Sequence, residues 1–318
     1  MAFALFIGAE IEIMHKLHWA HINEVTFIAG MRFLFWVYKL FGRIAFRIIL
    51  YPVVIFYLMI NPRARAASNQ YLKQINIKSN MINILKHFIS FSESILDKLL
   101  LWSGLFRLEN IQYFGQENIL DNLKQKRGGL LICSHLGNLE ICRVLSRHCS
   151  KLKITVLMHT KHAKAFNQLL AKLNPSSQLN IIQVTEMSVI TAMALKEKIE
   201  QGEFVVIAGD RIPVSLNSRV ASVPFLGKTA LFPVGPYILA HILQCPVYLL
   251  FSIRTQHGAE IYFETFCESI ILPRKNRDDR LTQLAADYAA RLAYYCQKAP
   301  LQWYNFYDFW NTHAHHPI

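Results

Sequence analysis

His135 and Glu140, separated by four residues, form a pair of side chains whose types could perform acid–base chemistry. On one continuous helix five residues turn through roughly 500°, which would point the two side chains apart. Gly137 and Asn138 lie between them and favour a turn followed by a helix N-terminus, so that the carboxylate can reach back to the ring. A carboxylate that fixes the tautomer of a histidine leaves the other ring nitrogen as a general base. The alternative is a structural His and Glu that stand at this spacing by chance.

The pair is expected to lie where a buried strand ends. Leu130 to Cys133 is a short apolar run after two glycines, which is typical of a strand in a parallel sheet. Open α/β sheets bind their ligands at the carboxyl ends of such strands. Downstream, strand-like runs alternate with helical patterns, so the sequence predicts an α/β fold with a mostly parallel or mixed central sheet flanked by helices. The predicted strands are 153–158, 180–184, 203–208 and 258–266, and the predicted helices are 162–173, 188–201 and 280–297.

A second candidate site follows another predicted strand, at Gly209, Asp210 and Arg211. A guanidinium that comes directly after a strand can hold a phosphate or carboxylate in a two-point contact. Lys228, at the end of the stretch Val223 to Lys228, supplies a further cation. From these residues alone, a structural salt bridge around Asp210 and Arg211 is an equally good interpretation.

Composition and charge favour a protein that works at a membrane surface. The chain of 318 residues has 34 Lys and Arg against 21 Asp and Glu, a formal net charge of +13, yet 53% of its residues are hydrophobic. The charge suits anionic partners, but nucleic-acid binders normally pair a basic surface with a polar composition. The six cysteines and thirteen histidines show no metal-ligand spacing. We therefore expect no nucleic acid, no metal and no bound cofactor, and cysteines that are small buried side chains in a reducing compartment.

The N-terminal third contains two apolar segments, 25–38 and 44–60, which are divided by the cations Lys39, Arg43 and Arg47. The longest uncharged piece would span about 20 Å as a helix, short of a hydrocarbon core of roughly 30 Å. The segments are expected to attach to the membrane, either as interfacial helices or as one crossing helix. A buried hairpin is the alternative, but it leaves Arg32, Arg43 and Arg47 hard to place. The predicted domains are membrane-associated helices 1–67, a helical connector 68–110 and a catalytic domain 111–318.

Several motifs between Gly115 and Glu140 resemble the bacterial lysophospholipid acyltransferase-like superfamily, in the branch of the lipid A late acyltransferases, which transfer lauroyl and myristoyl chains. The matching residues are Gly115, Glu117-Asn118-Ile119, Arg127-Gly128-Gly129 and Ser134-His135-Leu136-Gly137-Asn138-Leu139-Glu140. The resemblance implies that His135 and Glu140 form the catalytic dyad. It also implies that the block at Gly209 contacts the polar group of the acceptor, with Arg211 as the phosphate or head-group contact, Asp210 orienting it and Lys228 as a weaker second cation. Asn138 and Arg143 complete the predicted substrate-binding residues.

The C-terminal sequence departs from the lipid A enzymes. Those enzymes have a similarly placed Pro, Gln and Trp followed by a basic run, whereas here Asn305, Phe306, Tyr307, Asp308 and Phe309 follow. A bisphosphorylated sugar lipid would need the missing arginines. The chain is therefore more similar to the divergent branch associated with aryl polyene and other glycolipid gene clusters.

The function that follows is O-acyl transfer from a thioester, on acyl carrier protein or acyl-CoA, to a hydroxyl of a membrane lipid or glycolipid. The resemblance implies the cytoplasmic face of the bacterial inner membrane, where an anionic lipid surface meets the basic chain. One alternative is a lipid esterase or thioesterase that activates water with the same dyad. Another is a peripheral membrane-binding or nucleic-acid-binding protein without enzymatic activity.

Overall fold

The computed structural model describes residues 24–102, 105–106, 110–138, 153–158, 180–183, 189–212, 219–256 and 258–311. The chain divides into two compact units, of which the first comprises Met1–Leu99 with Pro300–Ile318 and the second comprises Leu100–Ala299. Within each unit the backbone positions contact one another more than they contact the other unit. The domain boundaries expected from the sequence remain a prediction.

Helices dominate the described part of the first unit. They are α1 Glu24–Ile60, α2 Pro62–Gln74 and α3 Met81–Trp102, the last of which continues into the second unit. The Asn61 side chain accepts a hydrogen bond of 3.1 Å from the Ala64 amide, and Pro62 takes the first helical position, so α2 begins where the sequence supplies both signals. The two predicted apolar segments are parts of one helix, α1, which is broken at Gly42, where φ is 75°.

Arg43 and Arg47 of α1 form ion pairs with two buried carboxylates of α3. Arg47 Nε lies 2.5 Å from Glu93 Oε1, Arg43 Nε lies 3.5 Å from Glu93 Oε2, and Arg43 also bonds Asp97. The side chains of Glu93 and Asp97 are only 2% and 3% exposed, so each carboxylate depends on its arginine partner for compensation. The sequence alone showed no partners for Arg43 and Arg47 if α1 packs against other helices. The structure supplies these partners on α3, as Glu93 and Asp97.

His87 of α3 is buried among aromatic rings of the same unit. Its Nδ1 lies 2.9 Å from Ser68 Oγ and its Nε2 lies 3.0 Å from the Trp303 carbonyl oxygen. Because a carbonyl only accepts, Nε2 carries the proton and Nδ1 accepts from the Ser68 hydroxyl. Burial lowers the pKa of His87 from 6.5 to about 4, although the bond to Trp303 opposes that shift.

We expect the first unit to lose stability as the pH falls from about 6.5 to about 4. In that window the unfolded chain protonates His87 and the folded chain does not, so unfolding takes up a proton and acid favours it. The full effect is about 3 kcal/mol in the free energy of unfolding. Chemical denaturation at pH 7 and pH 4.5 measures it. The loss should shrink in His87→Gln and persist in His241→Gln, and an equal loss in His87→Gln would contradict the assignment.

The second unit is built on a seven-stranded sheet. Its strands are β1 Ile111–Phe114, β2 Gly129–Cys133, β3 Ile154–Met158, β4 Asn180–Gln183, β5 Phe204–Ala208, β8 Val247–Arg254 and β9 Ala259–Cys267. They follow the order β1-β9-β8-β2-β5-β3-β4, and all pairings are parallel except the antiparallel pair β8–β9. Four helices of this unit are α4 Gln116–Lys124, α5 Val189–Glu200, α6 Gly235–Leu243 and α7 Arg277–Lys298. The α/β class and the mostly parallel central sheet are confirmed.

The remaining strands, β6 Val220–Phe225 and β7 Lys228–Pro233, form a separate antiparallel hairpin.

Most predicted elements match the observed ones to within a few residues at each end. The predicted helix 162–173 lies outside the described residues.

The strand β2 occupies the centre of the sheet, between β8 and β5. All five of its residues are buried, because a strand with parallel neighbours on both sides and helices on both faces has no route to water. Leu131 and Cys133 belong to the apolar cluster on one face of the sheet, together with Phe204, Val206 and Leu250 from the neighbouring strands. The carboxyl end of β2 is therefore a rigid support for the residues that follow it.

Of the helices in the described ranges, one segment, Trp36–Ile60 within α1, is long and apolar enough to cross a membrane by length and composition. Only 28% of the residues in its 18-residue apolar stretch are buried within the protein. A membrane association is weakly suggested by this helix.

Candidate active site

His135 projects from a tight turn directly after β2. Gly137 completes the turn with φ +67°, a conformation that side-chain-bearing residues rarely adopt. A Cβ atom at Gly137 would lie 1.8 Å from the backbone carbonyl oxygen of Ser252, so the turn also presses against β8. The glycine turn expected from the sequence is present, and it holds His135 at the carboxyl edge of the sheet.

Asp210 reaches the same edge from the neighbouring strand. The strands β2 and β5 are parallel, and Cys133 pairs with Ala208 at their ends. His135 and Asp210 each stand two positions beyond these paired residues. Gly209 donates its amide N–H to the Cys133 carbonyl oxygen at 2.8 Å, which extends the pairing by one more bond. The register of the two strands thus brings His135 and Asp210 together across 75 residues of sequence.

Both carboxylate oxygens of Asp210 bind His135. The His135 amide N–H donates to Asp210 Oδ2 at 2.8 Å, and the ring Nδ1 lies 2.8 Å from Asp210 Oδ1. Because an ionised carboxylate only accepts hydrogen bonds, Nδ1 carries the proton and the lone pair of the neutral ring lies on Nε2. The Asp210 side chain is fully buried, whereas that of His135 is 30% exposed. The pair therefore fixes the orientation and the tautomer of the ring, while part of the His135 side chain remains exposed.

The electrostatics of the pair keep Asp210 ionised. Burial by itself raises the pKa of the carboxyl group, but the charge and hydrogen bonds of His135, with a further contribution from Arg211, bring it below its ordinary value. The stabilisation from this carboxylate is therefore present at neutral pH and is lost only as the pH falls through its lowered pKa.

The structure gives Asp210 a partner that the sequence did not indicate, while its expected role in orienting Arg211 stays a prediction. Its two oxygens are directed to His135, while Arg211 contributes through its charge. A sequence signal existed, since both residues follow buried strands at the same offset. What the sequence lacked was the order of the strands, which decides that β2 and β5 are neighbours.

The other predicted site residues have different positions. Glu140 and Arg143 lie outside the described residues, so the predicted pair of His135 with Glu140 stays a prediction. Asn138 is buried at the end of the glycine turn. Lys228 lies exposed at the turn of the β6–β7 hairpin rather than on the seven-stranded sheet. Gly209, predicted as a substrate contact, donates its amide to Cys133, and the assignments of substrate contacts remain untested.

Cys133, the last residue of β2, and Ser134, the residue after it, both make contacts within the fold. Cys133 packs in the apolar cluster and its Sγ lies 3.3 Å from the Ile207 carbonyl oxygen. Ser134 is buried, and its hydroxyl oxygen accepts from the Leu136 amide at 3.3 Å within the turn. Among the residues that the structure describes, no group of three or more His, Cys, Asp or Glu side chains could hold a metal ion.

Comparison with known proteins and protein families gives a family match for this chain. No protein with a curated function is similar enough to the chain to count as a match. The model of one family, described as bacterial lipid A biosynthesis acyltransferase, matches residues 105–312, which include β2, the glycine turn and the Asp210 region. The match covers more than half of the chain, in the part that carries the oriented His135. The chain therefore belongs to the bacterial lipid A biosynthesis acyltransferase family and is an acyltransferase.

Proposed function

We propose that this acyltransferase moves a fatty acyl chain from a thioester to a hydroxyl group of a membrane lipid or glycolipid. The observation that carries the proposal is the two-point contact between His135 and Asp210, which places the ring proton on Nδ1 and makes Nε2 the basic nitrogen. Transfer of an acyl group to a hydroxyl requires removal of one proton, and a histidine with a fixed tautomer suits that step at neutral pH. Membership of a lipid-acylating family supplies the substrate class.

In the proposed reaction His135 Nε2 takes the proton of the acceptor hydroxyl as its oxygen attacks the thioester carbon. The tetrahedral intermediate then collapses, the carbon–sulfur bond breaks, and the imidazolium returns the proton to the departing thiolate. Asp210 stabilises the imidazolium between the two steps. We assign Glu140 as a second carboxylate that assists His135, and the backbone around Gly137 with Arg143 as donors to the oxyanion. No covalent acyl-enzyme is required, since the acceptor oxygen attacks directly.

The acceptor head group is assigned to the cationic side of the site. Arg211 follows Asp210 directly, so a phosphate or carboxylate bound there would lie close to the reacting hydroxyl. Lys228 is the second, weaker cation, and Asn138 and Gly209 complete the set. The C-terminal Asn305 to Phe309 replaces the basic run of the lipid A enzymes, which favours an acceptor with fewer phosphates, such as a glycolipid.

The acyl donor is assigned as acyl carrier protein or acyl-CoA, both of which are anionic, whereas the chain has a net charge of +13. The proposed location is the cytoplasmic face of the inner membrane, where such donors and lipid acceptors are both available. The apolar helix Trp36–Ile60 supports an association with the membrane.

The experiment is a reaction with the purified full-length chain, one acyl thioester and a total bacterial lipid extract, analysed by lipid mass spectrometry. Acyl carrier protein and CoA thioesters of several chain lengths are compared. The proposal expects a new acylated lipid whose formation requires both donor and acceptor. Formation of no acylated lipid with any donor would contradict it.

Hydrolysis of the thioester is a second candidate, because the partly exposed His135 can also contact water. Release of free fatty acid at the same rate with and without the lipid extract would favour hydrolysis. A rate of fatty acid release that falls when acceptor is added would favour transfer, since the two reactions then compete for the same bound acyl group.

A further inference from the structure

The first inference concerns the outward face of α1 between Phe41 and Met59, which carries large apolar side chains. Phe41, Ile44, Ile48, Ile55 and Met59 recur at helical spacing and are 45% to 74% exposed. The opposite face packs within the first unit, where Phe46, Leu50, Val54, Tyr57 and Leu58 are almost completely buried. The helix therefore has one partnered side and one side that presents large apolar groups to its surroundings.

The charges around this face fit an anionic lipid surface. No Asp or Glu stands between Glu24 and Glu93, a stretch that contains nine Lys and Arg. Lys39 is exposed near the start of the apolar face and Arg63 is exposed just beyond its end. A spanning helix would place these two cations on opposite sides of the bilayer, whereas anionic head groups and retained positive charge are found together on the cytoplasmic side. A helix lying in the membrane plane keeps both on that side.

The contacts of α1 also oppose a crossing. The break at Gly42 leaves Arg43–Ile60, 18 residues or about 27 Å of helix, and Pro52 interrupts that piece. Arg43 and Arg47 are bonded to the buried Glu93 and Asp97 of α3, so a crossing α1 would take these ion pairs, and α3 with them, into the hydrocarbon. We propose that α1 lies in the cytoplasmic leaflet of an anionic membrane, with its apolar face in the lipid and its other face ion-paired to α3.

Two measurements test this proposal without any acyl-transfer readout, so its failure is separate from failure of the proposed function. In the first, Lys39→Cys and Arg63→Cys are labelled with a membrane-impermeant maleimide in sealed vesicles, and the wild-type chain gives the background from native thiols. Both positions should react in inside-out vesicles and neither in right-side-out vesicles. Reaction of the two positions from opposite sides would show a crossing helix and overturn the proposal.

The second measurement is flotation of the purified chain with vesicles of phosphatidylglycerol and phosphatidylcholine. Ile44→Glu with Ile48→Glu should lower the partition coefficient at least about tenfold, because two apolar groups that the proposal places in the lipid become negative charges, which anionic head groups repel. The matched control is Ile190→Glu with Met193→Glu, which changes two exposed apolar residues of α5 in the second unit. Unchanged flotation of the α1 variant would overturn the lipid assignment. The same holds if the wild-type chain self-associates and the variant loses this self-association but keeps its flotation.

The second inference concerns Tyr288 of α7, which contacts the backbone just before His135 and just before Asp210. Its hydroxyl donates to the Cys133 carbonyl oxygen at 2.7 Å, the same oxygen that accepts from the Gly209 amide. A Cβ atom on Gly209 would lie 2.9 Å from the Tyr288 ring, so the ring packs against the Gly209 backbone. One carbonyl thus ties together α7, the end of β2 two residues before His135, and the residue before Asp210.

Tyr288 is suited to hold this position permanently. It is fully buried, its ring stacks on Phe251, and burial raises its pKa well above the ordinary value, so its hydroxyl remains a donor at all physiological pH values. We infer that Tyr288 is a positioning residue, which sets the distance between Asp210 and His135 without touching substrate. This inference rests on the proposed function of that pair.

The test compares Tyr288→Phe with Tyr295→Phe. Tyr295 belongs to the same helix and also stacks on Phe251, but its hydroxyl donates to Glu264, away from the pair. Tyr288→Phe should lower kcat about fivefold to tenfold with KM nearly unchanged, while Tyr295→Phe leaves kcat within about twofold.

A spectroscopic readout separates positioning from general destabilisation and from failure of the proposed reaction. The proton between His135 Nδ1 and Asp210 should give a downfield NMR signal, identified by its absence in Asp210→Asn. In Tyr288→Phe the signal should shift or broaden, and in Tyr295→Phe it should not. An unshifted signal with unchanged kcat would overturn the inference. If the signal shifts in Tyr288→Phe but the wild-type chain transfers no acyl group, Tyr288 still positions the pair and the proposed reaction is wrong.

Discussion

Asp210→Asn is expected to lower kcat for acyl transfer about 10³-fold to 10⁴-fold while the protein stays folded. The Asn oxygen can still accept from the His135 amide, which leaves the NH₂ group facing Nδ1. That group can only donate, so Nδ1 must accept and the ring proton moves to Nε2. The base is then blocked by its own proton. Steady-state kinetics with circular dichroism as a check on folding measures the effect.

Asp278→Asn is the matched control for this change. Asp278 is also ion-paired, with Arg219 at 2.6 Å, but its side chain is 81% exposed, and an exposed pair contributes little. We expect kcat to stay within about twofold of the wild type. The informative comparison is Glu140→Gln, because the sequence motif assigns the dyad to His135 and Glu140. If Asp210→Asn retains more than a tenth of kcat and Glu140→Gln abolishes activity, Asp210 is a structural partner and Glu140 alone serves the base.

His135→Ala is expected to lower kcat about 10²-fold to 10⁴-fold, the usual contribution of a positioned general base. Attack on the thioester by a lipid hydroxyl and by water both release one proton, so transfer and hydrolysis should fall together. A single-turnover reaction with an isotopically labelled acyl thioester, followed by mass spectrometry of lipids and free fatty acid, measures both products.

The control for His135→Ala is His241→Gln on α6, where Nδ1 lies 3.0 Å from the Ile270 carbonyl oxygen in a partly buried position. This variant should retain its transfer rate within about twofold. Retention of more than a tenth of the wild-type rate by His135→Ala would mean that another group takes the hydroxyl proton. The proposed mechanism would then be wrong, although family membership would be unaffected.

Much of the fold could be predicted from local pattern. The all-apolar run after Gly128 and Gly129 is typical of a central parallel strand, and β2 is the middle strand of the sheet. The glycine at position 137 predicted the turn, because few other residues tolerate its left-handed backbone. The spacing of apolar residues depends only on nearby positions in the chain, so it can be recognised before the tertiary structure is known. The break of α1 at Gly42 was indicated only by the cations around it.

Two features of the charged residues were beyond sequence reasoning. Arg43 and Arg47 look like solvated cations between apolar segments, but their partners Glu93 and Asp97 lie about fifty residues away on α3. Asp210 stands beside Arg211 in the sequence and yet bonds His135. The parallel register of β2 and β5, rather than adjacency in the sequence, brings the Asp210 oxygens to His135.

The sequence by itself determined the α/β class, the glycine turn that follows His135, and the resemblance that the family match confirms. These depend on residue type and short spacing, which the chain carries before it folds. Only the tertiary structure decided which carboxylate lies against His135 among the described residues, and that α1 keeps one face ion-paired and the other exposed. The reason is that strand order and helix packing join residues tens of positions apart, and no local pattern encodes that choice.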